Sequence, residues 1–263
     1  MGEAYDLSIL NQDLEVARLA RQAHSSFSHE LPVLAAAGLR SGMSVVDIGS
    51  GSGHFTAQLA TLAHPANVVG IEKEDAMVRV ARSLPHLGNL DFVLADALSA
   101  QPRPEFDFVF CRLVVNNTPE PKTLLAKMVG YARPGGLICV SDIDDGTVVM
   151  HPSPPTVEHV NTLFLDFFRR QGGDRHVGRR LREMLTHAGA LDVKTHVIAV
   201  DTQTWGRDVF LGRISTRTRR LVKAGMISEG DAALAEAEAA RWIEDDSSYG
   251  CLTKFIVVGR SPH

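Results

Sequence analysis

The stretch Val45–Phe55, VVDIGSGSGHF, constrains this chain more than any other. An apolar, valine-rich run ends in an acid. Three glycines at alternate positions then precede a helical pattern. Gly49, Gly51 and Gly53 let the backbone turn sharply and let a ligand approach closely, because no Cβ intervenes. The helix start behind them offers free N–H groups. Such a strand–turn–helix unit belongs to an open α/β sheet, in which ligands bind at the carboxyl edge of the strands.

The rest of the first half fits that unit. Short apolar runs at Ser44–Ile48, Val68–Ile71, Leu90–Leu94, Phe106–Phe110 and Leu137–Val140 predict strands buried on both faces. Helical patterns at Phe55–Ala63, Ala76–Leu84 and Pro121–Ala132 separate them. Alternation of this kind predicts βαβ units and a parallel sheet. In the second half, helices are expected at Val157–Arg170, Arg180–Ala188, Asp208–Ala224 and Asp231–Ile243, with strands at Val193–Val200 and Phe255–Val258. We expect one domain in three parts. Residues 1–40 form a helical cap, 41–150 a cofactor-binding half, and 151–263 the substrate-side helices and last two strands.

The glycine pattern differs from the nicotinamide fingerprint G-x-G-x-x-G. The third glycine falls one place early, His54 follows it, and Asp47 ends the strand. A carboxylate there is poorly placed beside a pyrophosphate but suits a ligand carrying an ammonium and a sulfonium. Glu72 closes the second strand, where an acid can accept hydrogen bonds from ribose hydroxyls. Asp96 closes the third, where it could meet an adenine amino group. Each acid alone has the alternative reading of a solvated carboxylate or a helix cap, and for Asp96 that reading is as good. Three in order are harder to explain that way.

With VVDIGSGSG, VVGIEKE, VLADAL, FDFVFCRLVVNNTPEP and YARPGGLICVSDID in this order, the sequence resembles the class I S-adenosylmethionine-dependent methyltransferases over roughly Ser41–Asp145. It is most similar to the small-molecule branch around the ubiquinone/menaquinone-type and antibiotic-pathway enzymes. The resemblance implies a Rossmann-like three-layer sandwich. Its seven-stranded, mostly parallel sheet would run in the order 3-2-1-4-5-7-6, with helical insertions after strands 5 and 6. It implies S-adenosyl-L-methionine as cofactor. Asp47, Gly49, Ser50, Gly51 and Gly53 would hold the methionine moiety and Glu72 the ribose, with Lys73 beside the adenine. Asp96 and Ala97 would meet the adenine edge, and Arg112 would lie at the methionine end.

The methyl acceptor is left open by the residues. Asn116, Asp144 and Phe164 are candidates to touch it, and His151, in the loop His151-Pro152-Ser153-Pro154-Pro155, is the preferred general base. His54 is a second, weaker histidine candidate. Alternation would point Asp142 and Asp144 one way, so a Mg²⁺ site is conceivable, but a solvated acidic loop is the preferred reading and no metal is expected. The arginines of 169–182 and 213–220 read as solvated helix faces, with an anionic substrate as the sharper alternative. The Phe164/Phe167/Phe168 stripe reads as core or as a lid over substrate. The amphipathic start, with Leu10, Leu14, Val16 and Leu19, is expected to pack over the cofactor, so that removing residues 1–27 abolishes its binding.

Composition narrows the partners. With 27 Lys+Arg against 31 Asp+Glu the net charge is −4, which argues against a polyanion binder acting by bulk charge. The chain also lacks the Asn/Asp-Pro-Pro-Tyr/Phe tetrapeptide of enzymes that methylate nucleobase amino groups. Nucleic acid is therefore not an expected partner. Cys111, Cys139 and Cys251 are odd in number and widely spaced, so they are expected to be buried packing residues in a reducing, cytoplasmic compartment. No signal peptide or apolar run of membrane-spanning length is read. A homodimer stays open. The expected activity is methyl transfer to O, N or C of a small molecule, with secondary metabolism a fitting context. The alternatives are cyclisation or rearrangement on the same fold, then a nicotinamide-dependent oxidoreductase, then a non-catalytic partner.

Overall fold

The computed structural model describes residues 12–262 apart from Ala63, Pro65, His86 and Leu87. Among these residues seven strands form one sheet in the order β3-β2-β1-β4-β5-β7-β6. They are β1 (Ser44–Ile48), β2 (Asn67–Glu72), β3 (Leu90–Leu94), β4 (Phe106–Arg112), β5 (Ala132–His151), β6 (Leu191–Asp201) and β7 (Tyr249–Arg260). β1 pairs in parallel with β2 and β4, as does β2 with β3 and β4 with β5. β7 runs antiparallel to both neighbours. Order and polarity are as expected.

The helices are α1 (Gln12–Ala37), α2 (His54–Leu62), α3 (Asp75–Ser83), α4 (Pro121–Tyr131), α5 (Pro155–Arg170), α6 (Leu181–His187), α7 (Arg207–Lys223) and α8 (Glu229–Glu244). On one sheet face α1 and α2 bury Phe27, Leu34, Phe55 and Leu59 against Phe108, Phe110 and Ile256. Phe55 links them, edge-on to Phe27 at 5.1 Å and stacked on Phe110 at 5.6 Å. On the other face α4 and α6 cover Val46, Val109, Ile138 and Val257. Fully burying each such side chain contributes about 1.5–3 kcal/mol. A separate apolar cluster joins α5, α7 and α8 through Val160, Phe164, Phe168, Leu221 and Ala235, so these helices stand over the carboxyl edge as a layer of their own.

Two sequence expectations are corrected. β5 runs on through Asp142, Asp144 and Asp145 to His151, paired with β7 over residues 137–144 and, past a register shift, over 149–151, and all three acids are buried. They are not a solvated loop, because arginines pair with Asp144 and Asp145 while Asn116 hydrogen-bonds Asp142. The amphipathic reading of the first helix also holds only in part. Leu14 is 55% exposed while Glu15 is buried, because a salt bridge to Arg18 lets the acid face inward. Leu10 lies outside the described residues. Cys111 and Cys139 are buried as expected, and Cys251 is half-buried. No helix among the described residues is long and apolar enough to cross a membrane.

Candidate active site

The glycine turn follows β1 at the carboxyl edge. Gly49, Gly51 and Gly53 have φ of +73°, +57° and +75°, a left-handed region costly for other residues. Their surroundings differ. A Cβ on Gly49 would lie 2.5 Å from Val114 Cγ2, and one on Gly53 would lie 2.7 Å from both Ala81 Cβ and Phe92 Cζ. Those two glycines serve close packing. At Gly51 the nearest atom would be Leu19 Cδ1 at 3.9 Å, so here the backbone faces open space. Gly53 does not line the cavity in front of the turn, whereas Gly49, Ser50 and Gly51 do.

That cavity has a volume of about 650 Å³. Asp47 lies at its back, accepting a 2.6 Å hydrogen bond from Thr56 Oγ1. Its Oδ1 is buried without a partner, and burial pushes its carboxyl up to about 7. Ser50 Oγ and Arg112 Nη2 are likewise buried without partners. Glu72 accepts from the Gly51 N–H on one oxygen and from the Lys73 and Glu74 N–H groups on the other, each at 2.9 Å. Burial still raises its carboxyl above the usual range. Lys73 and Ala97 line the same wall, with Asp96, which closes an Asx turn onto the Leu98 N–H at 2.9 Å.

Arg112 ends β4, with its guanidinium 4.5 Å above the Phe55 ring. Its Nε donates to Glu30 Oε1 at 3.0 Å. Glu30, from α1, also takes Lys254 Nζ of β7 at 2.5 Å and Ser141 Oγ of β5 at 2.9 Å. Two cations hold its carboxyl down to about 2 despite burial. With one carboxylate shared between two cations, burial and Arg112 push Lys254 down to about 8. Sequence reasoning missed Glu30 and Lys254. A lone Glu in an amphipathic helix and a lone Lys in an apolar strand carry no spacing signal, and they meet across 224 positions.

The acceptor-side expectations divide. Phe164 of α5 lines the cavity, with Phe168 beside it. Asn116 also lines it, anchored by a 2.6 Å bond from its Nδ2 to Asp142 Oδ1, while its own Oδ1 is buried and unpartnered. Burial pushes Asp142 up to about 6. Asp144 is off the cavity wall, because Arg179 holds both its oxygens. His151 is corrected as well. It pairs with Tyr249 at the far end of β5, is exposed, and does not line the cavity. His54 does line it, 3.0 Å from Ser52 Oγ, with burial lowering its affinity for a proton. No group of three His, Cys, Asp or Glu side chains suited to a metal ion is found among the described residues.

The arginines are the larger correction. Arg175, Arg213, Arg217 and Arg220 line the cavity opposite the glycine turn. Three of them converge on buried Asp145, through Arg175 Nε at 2.9 Å, Arg213 Nη2 at 2.7 Å and Arg217 Nη2 at 2.5 Å. The solvated-face reading fails for these four, because α7 turns Arg213, Arg217 and Arg220 inward and the loop after α5 brings Arg175 to the same Asp145 that Arg213 and Arg217 meet. It stands for Arg169, Arg170 and Arg219, which are exposed.

Residues 39–189 match the methyltransferase-domain family. A trans-aconitate 2-methyltransferase of Methylobacterium radiotolerans is 34% identical over 100 residues, 38% of each chain. Methyltransferase str2 of Strobilurus tenacellus is 25% identical over 234 residues, 82% of each chain. The alignments to the trans-aconitate enzymes span only about two fifths of those proteins' length. Among solved structures, YcgJ of Bacillus subtilis superposes with a TM-score of 0.58 at 17% identity, covering 90% of this chain and 99% of that one, which is a likeness of fold. With the family match spanning more than half of its residues, the chain belongs to the methyltransferase-domain family, the class I S-adenosylmethionine-dependent enzymes that its motifs resemble.

Proposed function

We propose that this protein transfers a methyl group from S-adenosyl-L-methionine to an O, N or C atom of a small molecule. One observation carries the reading. Three buried polar atoms without partners among the described residues, Asp47 Oδ1, Ser50 Oγ and Arg112 Nη2, belong to residues that line one cavity together with the bare backbone of Gly51 and the rings of Phe164 and Phe168. The large majority of buried polar atoms in folded proteins have partners. An acid, a hydroxyl and a guanidinium fit the ammonium and carboxylate of a methionine moiety.

Asp47, Ser50, Gly51 and Arg112 would hold that moiety, Glu72 and Lys73 the nucleoside beside it, and Asp96 and Ala97 the adenine edge. When bound, the cofactor supplies an already activated methyl group on a sulfonium. The chain's own work is then to orient and to exclude water. Leu19 and Ala23 of α1 and Phe55 of α2 close one side, and Phe164 and Phe168 close the acceptor end. Glu72 keeps a free lone pair after its three backbone bonds, enough for a hydroxyl donor. A curated relative that acts on trans-aconitate by its name supports a small-molecule acceptor.

Calorimetry with S-adenosylhomocysteine and with NADH tests the assignment. Binding of the former alone is expected; tight binding of NADH alone overturns it. In turnover, S-adenosylhomocysteine should appear in step with methylated product.

A further inference from the structure

We propose that the methyl acceptor is a carboxylate-bearing small molecule, and that Arg175, Arg213 and Arg217 bind its anionic group at the acceptor end of the cavity. This rests on the methyltransferase reading and specifies the substrate class of that site.

The argument begins with charge balance. Three guanidiniums share one buried carboxylate, Asp145. Their side chains are 15%, 17% and 5% exposed, so little water screens their repulsion. Arg217 has one other bond, to the neutral amide oxygen of Asn161. Among the described residues, the nearby acids do not close the account. Asp144 is committed to Arg179, and Asp142, even if fully ionised, leaves three cations against two anions. The excess shows at Arg217, whose proton affinity falls to about 9 through burial and the repulsion of Arg213 and Arg175. Buried charge is tolerated when paired, and an anion in the adjoining cavity would complete the pairing.

Geometry supplies the second argument. The forks are held in place before any ligand arrives. Arg217 lies 5.0 Å over the Phe164 ring and Arg175 lies 5.4 Å over Phe168, while Asp145 orients all three from behind. Guanidiniums so fixed suit bidentate recognition of a planar carboxylate. The two phenylalanines that they cover also line the cavity, so the ligand's apolar body has a surface beside its anionic end. The carboxyl ends of β2 and β3 bring Glu72, Lys73 and Asp96 to the same cavity.

The test is calorimetry on full-length protein saturated with S-adenosylhomocysteine. Benzoate, trans-cinnamate and glutarate are titrated, each beside its methyl ester, with inorganic phosphate as a further arm. At least one carboxylate should bind tenfold or more tighter than its ester. Arg213→Gln, which leaves Asp145 paired with Arg175 and Arg217, should weaken it at least tenfold with S-adenosylhomocysteine affinity intact. Equal binding of acid and ester, binding of phosphate alone, no binding by any acid, or unchanged affinity in Arg213→Gln each overturns the proposal. Loss of S-adenosylhomocysteine binding by the wild type would instead refute the methyltransferase reading, and the acid–ester comparison on the unloaded protein would still judge the arginine site.

Discussion

Asp47 shows how one residue reports on its ligand. Buried with a single hydroxyl donor, it holds its proton to about pH 7. A cation placed beside its bare oxygen favours the ionised form, so cofactor binding should release that proton. The affinity for S-adenosylhomocysteine, whose amino group is the relevant cation, should rise as pH climbs towards about 7 and then level off. Below that point it should fall by up to about tenfold per pH unit. Asp47→Asn should flatten the dependence. Calorimetry in buffers of differing ionisation enthalpy would count the proton, and a flat wild-type profile between pH 5.5 and 8 would refute the assignment. Asp47, Glu72 and Asp96 could be read from the sequence because each ends a strand and therefore projects to the ligand edge. Asp145 and its arginines could not. Their partnership spans 30 to 72 positions, and arginine on a helix reads as a wet face until a tertiary neighbour is known.

Among the elements, α1 and β5 depart furthest from local expectation. Alternating apolar runs and glycine turns made the parallel core legible, because the central strands β1 and β4 are buried on both faces, although β3, at the sheet edge, buries only one. β5 was read too short, since the residues just past its apolar run are acidic and only long-range partners make burial of those acids tolerable. The first helix was expected to lie over the cofactor, and Glu15, Arg18, Leu19, Gln22 and Ala23 do line the cavity. Deleting residues 1–22 removes all but Ala23 of these and keeps Phe27, Glu30 and Leu34 in the core. The shortened chain should stay folded but bind S-adenosylhomocysteine at least ~10-fold more weakly, the order of effect expected from losing a few partly buried contacts. Wild-type affinity in a folded deletion would show that the helix is no lid.

For the whole molecule, stability against pH follows from buried acids of opposite sign. Glu30 is depressed from 4.5 to about 2, so its contribution is present above about pH 4.5 and lost as pH falls towards 2. The shift corresponds to about 3 kcal/mol. Asp47 is raised from 3.8 to about 7 and acts the other way, subtracting stability as pH rises through that interval. Urea unfolding should therefore show a steep acid limb, made shallower by Lys254→Met, which leaves Glu30 with Arg112 and Ser141. An unchanged limb would remove Glu30 from the account. The Glu30–Lys254 bond also dictates timing during synthesis. Its carboxylate is translated 224 positions before its ammonium, which lies on β7. A nascent chain can assemble the nucleotide-side strands well before it can fasten its first helix, and a transcript truncated ahead of Lys254 would yield a protein with an unlatched roof.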